Sequence, residues 1–208
     1  MRFGLIACGL LWAAPVVAQR NGVRLEVAVD SATASSAGPM ITTGNLLADA
    51  NTRELLRAGF ATKIHYRLEL WRKAALFNDL NDRAEWDVFV QYDPTAHVYN
   101  VIRRQEKQLE NFGGFATVTT AEEVFDRPFR APLHPNRAGR FYYNLIVEVQ
   151  PMLESDLDAL QQWLRGPSSP VKSGFVLAIR SGVGRLMSRI LGGDKQHYEV
   201  RSGVFSVP

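Results

Sequence analysis

Cysteine is nearly absent. Cys8 is the only one, and it lies in the apolar N-terminal run "MRFGLIACGLLWAAPVVAQR". The remainder of the chain can therefore form no disulfide, thiolate nucleophile or cysteine metal site, and must be held by its core. Excess charge is missing too. Lys and Arg number 24 against 21 Asp and Glu, a formal net charge of +3. Nucleic-acid binders concentrate basic residues in a stripe; no such run occurs here, and no nucleic-acid partner is expected. Histidine pairs are also lacking. His65, His97, His134 and His197 are all far apart, so no local pair has zinc-site spacing. "DLNDRAE", Asp79 to Glu85, has the acidic spacing of a calcium loop but Arg83 at its fifth position and Ala84 where the sixth needs glycine. There is no G-x-S-x-G elbow. No catalytic residue, metal or cofactor is expected from these patterns.

No apolar run reaches membrane-spanning length. The N-terminal one is roughly 16 residues, short of the ~20 that cross a bilayer. Arg2 followed by this run, then the small-residue ending Val16 to Ala18, has the form of a cleaved export signal over residues 1–18. Retention as an N-terminal anchor is the alternative. The expected destination is beyond the inner membrane, periplasmic or secreted.

What is present is strand periodicity. "VRLEVAVD" alternates from Val23 to Asp30, and "ATKIHYRLELW" puts Thr62, Ile64, Tyr66, Leu68 and Leu70 on one face. Lys63, His65, Arg67, Glu69 and Trp71 occupy the other. "AEWDVFVQY" and the strand from His97 flank "DPTA", Asp93 to Ala96, which suits a type I turn. That turn sets Tyr92 opposite His97 and Trp86 opposite Arg103. The charges predict a second register: with Arg67 opposite Glu85, His65 faces Asp87 and Glu69 faces Arg83, all opposite in sign. "NTRELLRAG" predicts a helix capped by Asn51 and ended by Gly59. "TTAEEVFD" predicts another, capped by Thr120 with Glu123. "RPFRAPLHPNRAGR" reads as an exposed loop, "RFYYNLIVEVQ" as a strong strand, "SDLDALQQWLR" as a helix and "HYEVRSGVFSV" as one or two strands. The sum is a mainly β chain with short helices: an antiparallel β-sandwich-like domain over residues 19–166, with a C-terminal helix and strand extension, residues 167–208, packed on it.

From about Ile41 to Arg165 the chain resembles the secreted bacterial family named "domain of unknown function 4390". The motifs are "LELWRK", "WDVFVQYD", "YNVIRR", "FATVTTAEEVF", "RFYYNLIVEVQ" and "SDLDALQQWLR", in that order. The resemblance implies an exported bacterial envelope protein, often encoded near a sensor histidine kinase, which is then a candidate partner. It assigns no catalytic residue.

Two surfaces stand out. Trp71 and Arg72 end a strand, with Trp71 opposite Asn81 and nothing identifiable over its ring. Tyr92, Tyr99 and Arg103 share one face of the expected hairpin. These five are the candidate partner-binding residues. In "SGVGRLMSRILGG", Val183, Leu186, Met187, Ile190 and Leu191 fall at helical spacing opposite Arg185 and Arg189. They are candidate membrane-facing residues, packing on the protein's own sheet being the other use. Functionally, the chain reads as a non-enzymatic envelope protein that binds a partner protein or ligand. The alternatives are a hydrolase of envelope polymers using carboxylates such as Glu85 and Asp87, and a membrane-surface accessory protein.

Overall fold

The computed structural model describes residues 16–20, 22–106, 108–152 and 195–208. Eleven strands and two helices are formed by these residues. In order they are β1 (Val16–Arg20), β2 (Val23–Ala28), β3 (Met40–Gly44), α1 (Ala50–Arg57), β4 (Thr62–Arg72), β5 (Asp79–Asp93), β6 (Val98–Gln105), β7 (Gln108–Phe115), α2 (Val118–Phe125), β8 (Phe129–Arg130), β9 (Gly139–Pro151), β10 (Gln196–Arg201) and β11 (Phe205–Val207). The smaller sheet has the order β1-β2-β3-β8; the larger runs β10-β9-β4-β5-β6-β7, with β11 also on β9. Every pairing is antiparallel. The sandwich-like, mainly β architecture expected from the sequence is the one found.

The core lies between the sheets. Val23, Leu25 and Val27 of β2 and Ile41 of β3 join Ile64, Leu68 and Leu70 of β4, Val88 and Val90 of β5, and Leu145, Val147 and Val149 of β9 in one buried cluster. Period-two alternation is what makes this possible, because it sends each strand's apolar residues to one side. Full burial of each such side chain contributes about 1.5–3 kcal/mol. β4 shows the pattern over its whole length, its even-numbered residues from Thr62 to Leu70 being buried. It is a central strand, with β5 on one side and β9 on the other.

Between β4 and β5 the register is the one the charges predict: Arg67 opposite Glu85, His65 opposite Asp87, Glu69 opposite Arg83. The ion pairs follow it only in part. His65 Nδ1 lies 2.8 Å from Asp87 Oδ1, but Arg67 approaches Glu69 at 3.1 Å and Arg83 approaches Glu85 at 3.6 Å, along the strands rather than across them.

The β5–β6 hairpin corrects the expected register by two residues. Asp93 faces Val98, Tyr92 faces Tyr99 and Trp86 faces Gln105. The connection is the four-residue stretch 94–97, in which His97 adopts φ 54°. Asp93 Oδ1 accepts from the amides of Thr95 and Ala96, at 2.8 and 3.1 Å. A slip of two keeps every side chain on its predicted face.

Both helix starts also differ from expectation. Asp49 caps α1, its carboxylate accepting from the Thr52 amide at 2.8 Å. Thr117 caps α2 in a reciprocal box with Thr120. In each case an earlier residue reaches the free amide. The end of α1 is as predicted: Gly59 and Phe60 donate back to Leu56 and Leu55 in a Schellman motif. The loop expected to be exposed before β9 is partly structural. It contains β8, and it buries Ala131 and Leu133. Tyr143 Oη donates to the Leu133 carbonyl at 2.8 Å. β10 and β11 are the two C-terminal strands the pattern suggested. β1 contains the expected cleavage point after Ala18; processing there would take Val16–Ala18 away from β2.

A candidate aromatic cleft between the sheets

Where β3 and β8 of the small sheet face β4 to β7 of the large one, the core is incomplete. A cleft of about 160 Å³ remains, lined chiefly by aromatic and branched side chains, with α2 and residues 127–128 along one wall. Its aromatic frame is ordered. Tyr66 stacks on Trp86 with centroids 5.1 Å apart, and Phe129 meets Trp86 edge-on at 5.0 Å. Both geometries are favoured by the ring quadrupoles.

Phe112 reaches the cleft because of a defect in pairing. β6 and β7 slip between Val101 and Ile102, so that Val101 faces Gly113, Ile102 faces Asn111, and Phe112 is the extra residue. Gly113 takes φ 95°, a conformation that a side chain would resist. Such a bulge re-aims a side chain, and here it places Phe112 among the lining residues.

Two arginines border this space. Arg103 Cζ lies 5.4 Å from the Phe112 ring and 5.8 Å from Phe129, and its guanidinium pairs with Glu110. Arg127 is exposed and makes no ion pair among the described residues. Among the described residues no carboxylate lines the cleft.

The Tyr66 hydroxyl is the unusual group. Tyr66 lines the cleft and is only 2 % exposed, yet its oxygen has no hydrogen-bond partner among the described residues. Burial drives its pKa far above the ordinary phenol value, and the nearby Thr43 hydroxyl is the main influence against this. The pair falls outside hydrogen-bond geometry; Thr43 gives its own proton to Asp126 at 2.8 Å and keeps its lone pairs.

The acids behind the cleft are structural. Asp126 is pushed up to about 6, first by burial and then by Glu122, against the Thr43 hydrogen bond. Glu122 is also raised by burial; it accepts from the Leu47 amide at 2.8 Å, which pulls the other way. Both carboxylates fasten α2 to β3 and its following loop. Asp87, one of the two acids named for hydrolysis, is on the other face of the large sheet. Burial would raise it, but hydrogen bonds and charge from His65 and Arg104 outweigh this and hold it below the usual carboxylate range. Glu85 is exposed and beside Arg83. Neither acid lines the cleft between the sheets.

The candidate partner-binding residues separate. Tyr92, Tyr99 and Arg103 are on the inner face: Tyr92 and Tyr99 pack at 4.9 Å, and Arg103 borders the cleft. Trp71 and Arg72 stand at the opposite end of β5's partner strand, with Trp71 on the outer face. The expectation that nothing covers Trp71 is corrected. A bulge at Asn81 puts Leu80 opposite it, and Tyr142 of β9 stacks beside it at 6.4 Å and 6°. Only the β5 neighbour was considered in the sequence; the second neighbour comes from a strand some seventy residues later. Val183, Leu186, Met187, Ile190 and Leu191 lie outside the described residues. Missed entirely were Thr43, Phe112, Asp126 and Phe129, which short or irregular elements supply.

Among the described residues no helix is long and apolar enough to cross a membrane, and no three His, Cys, Asp or Glu side chains group as metal ligands. Searches of family models, curated proteins and solved structures give no match to this chain.

Proposed function

We propose that this is an exported envelope protein that acts by binding, and that the cleft between its sheets takes an apolar group carrying a hydrogen-bond acceptor and a negative charge. The observation that carries the reading is the buried Tyr66 hydroxyl, which has no hydrogen-bond partner among the described residues. Leaving such a donor unmet costs about 1–3 kcal/mol, and a ligand acceptor would recover it. The size agrees: dry cavities of about 150 Å³ admit a benzene ring. Trp86, Phe112 and Phe129 supply the apolar walls, and Arg127, without an ion pair among the described residues, is placed to meet an anion. The ligand is then an aryl carboxylate, or an aromatic side chain of an acidic peptide on a partner protein. The export signal and the resemblance to the secreted family motivate the periplasmic address, where a sensor histidine kinase is a candidate partner.

Calorimetric titration with phenylacetate tests this. Saturable one-to-one binding is expected, weakened about tenfold or more by Arg127→Glu, since charge reversal removes an attraction and adds a repulsion. Arg127 is exposed, so the variant should fold. Absence of binding, or binding indifferent to this substitution, would remove the proposal.

A further inference from the structure

The described residues leave four large hydrophobic side chains exposed, and three of them are at one place. Leu76 and Phe77 are 87 % and 81 % exposed, and Leu80 is 45 % exposed. Leu76 and Phe77 form the tip of the loop 73–78 that joins β4 to β5; Leu80 begins the return strand opposite Trp71. Scattered apolar residues on a surface need no explanation, but a cluster does.

The surroundings of the tip are specific. Directly behind it stand Trp71 and Tyr142, stacked and half-buried, with their polar atoms engaged: Trp71 Nε1 donates to Glu69 at 2.9 Å, and Tyr142 Oη accepts from Asn78 at 3.4 Å. At the same end of the sheet are Arg72 and Lys73, and Arg140 at the start of β9, with Arg72 on the face opposite Trp71; the Lys73 amide donates to the Arg140 carbonyl at 2.8 Å. Arg137 is exposed in the loop that enters β9 at the same end. None of these four cations forms an ion pair among the described residues, and Asp79, opposite Arg72, is the acid nearest in the pairing. An apolar point, an amphipathic aromatic pair and unpaired cations form the sequence of layers that a bilayer interface selects.

We propose that the β4–β5 hairpin tip inserts into an anionic lipid surface, with Leu76 and Phe77 entering the acyl boundary, Trp71 and Tyr142 at headgroup level, and Arg72, Lys73 and Arg140 on the lipid phosphates. This surface is separate from the cleft and does not depend on the ligand assigned there.

The test is flotation of the full chain with phosphatidylcholine vesicles, with and without phosphatidylglycerol. Binding should require the anionic lipid and weaken with salt. Leu76→Asp with Phe77→Asp should weaken it on the order of tenfold or more, while far-UV circular dichroism stays unchanged, because both side chains are solvent-exposed. Any contribution from the N-terminal apolar run is common to both proteins and cancels in the comparison. A second measurement locates the contact. An environment-sensitive dye on Phe77→Cys, in a Cys8→Ser background, should shift to the blue on anionic vesicles. The same dye on Thr95→Cys, at the far end of β5, should not. Equal flotation of wild type and tip variant, failure of the wild type to bind, equal binding to neutral vesicles, or a silent dye at position 77 would each overturn the proposal.

Discussion

Tyr66 and Tyr143 offer a matched test of the hydrogen-bond argument. Both are buried in the same core, at 2 % and 1 % exposure. They differ in what the hydroxyl meets. Tyr143 Oη donates to the Leu133 carbonyl at 2.8 Å, whereas Tyr66 Oη has no partner among the described residues. Tyr143→Phe therefore removes a bond and strands a buried carbonyl, with an expected cost of about 1–3 kcal/mol. Tyr66→Phe removes only an unmet donor. The desolvation penalty disappears, the gap left is one oxygen at the wall of an existing cleft, and the expected result is a gain of about 0.5–1.5 kcal/mol. Urea unfolding at pH 7 reads both, as opposite displacements of the midpoint with an unchanged slope. Ligand binding should move the other way: Tyr66→Phe, although more stable, should bind phenylacetate less tightly, whereas Tyr143→Phe should bind it about as well. If Tyr66→Phe costs as much as Tyr143→Phe, the hydroxyl is satisfied in the free protein, and the reasoning that leads from it to a ligand fails.

Other perturbations separate the remaining claims. Asp126 has a folded-state pKa of about 6, above its ordinary value of 3.8; the folded state holds the proton more tightly, so stability is lost as pH rises through that interval. Asp126→Asn, which can still accept from Thr43, should leave stability unchanged near pH 4 and raise it by about 1–2 kcal/mol at pH 8, discounted for partial solvent screening; a difference from wild type that does not vary with pH would contradict this. A Cβ on Gly38 would lie 1.9 Å from the Ala131 carbonyl oxygen and 2.7 Å from that of Leu133, so Gly38→Ala should cost more than about 3 kcal/mol by thermal or urea unfolding, the loss of the β3–β8 edge being its cause. Asp49→Ala should cost about 1 kcal/mol as the loss of a helix cap, and Asn51→Ala should cost almost nothing; the reverse order would restore Asn51 as the cap.

Much of the large sheet was legible because its information is local or paired. The alternation of β4 and of β9 names the buried face directly. The β4–β5 register was readable because three successive residue pairs had complementary charge, and a slip of two set Glu69 against Glu85. The β5–β6 register was not, because a left-handed residue at His97 lengthens the loop, and the sequence around "DPTAH" does not distinguish that loop from a tighter turn. The cleft was illegible for a different reason. Its lining comes from eight separate parts of the fold, including a two-residue strand and a bulge. Phe129 sits in a Pro- and Arg-rich stretch with no periodicity to mark it. Thr43 and Tyr66 carry no motif; what makes Tyr66 notable is a missing partner, which exists only once β3 and α2 are in place. Trp71's place near the end of β4 was legible, while its cover, Tyr142, required knowing that β9 flanks β4.

The most direct test of the binding cleft is a ¹H–¹⁵N spectrum of the protein titrated with phenylacetate, the Trp86 indole resonance being assigned through Trp86→Phe. The account predicts saturable shifts at the Trp86 indole and at the amides of Phe112, Arg127 and Phe129, with weaker or absent shifts for benzylamine, which carries the opposite charge. Shifts confined to residues outside the cleft, or equal shifts for both compounds, would contradict it.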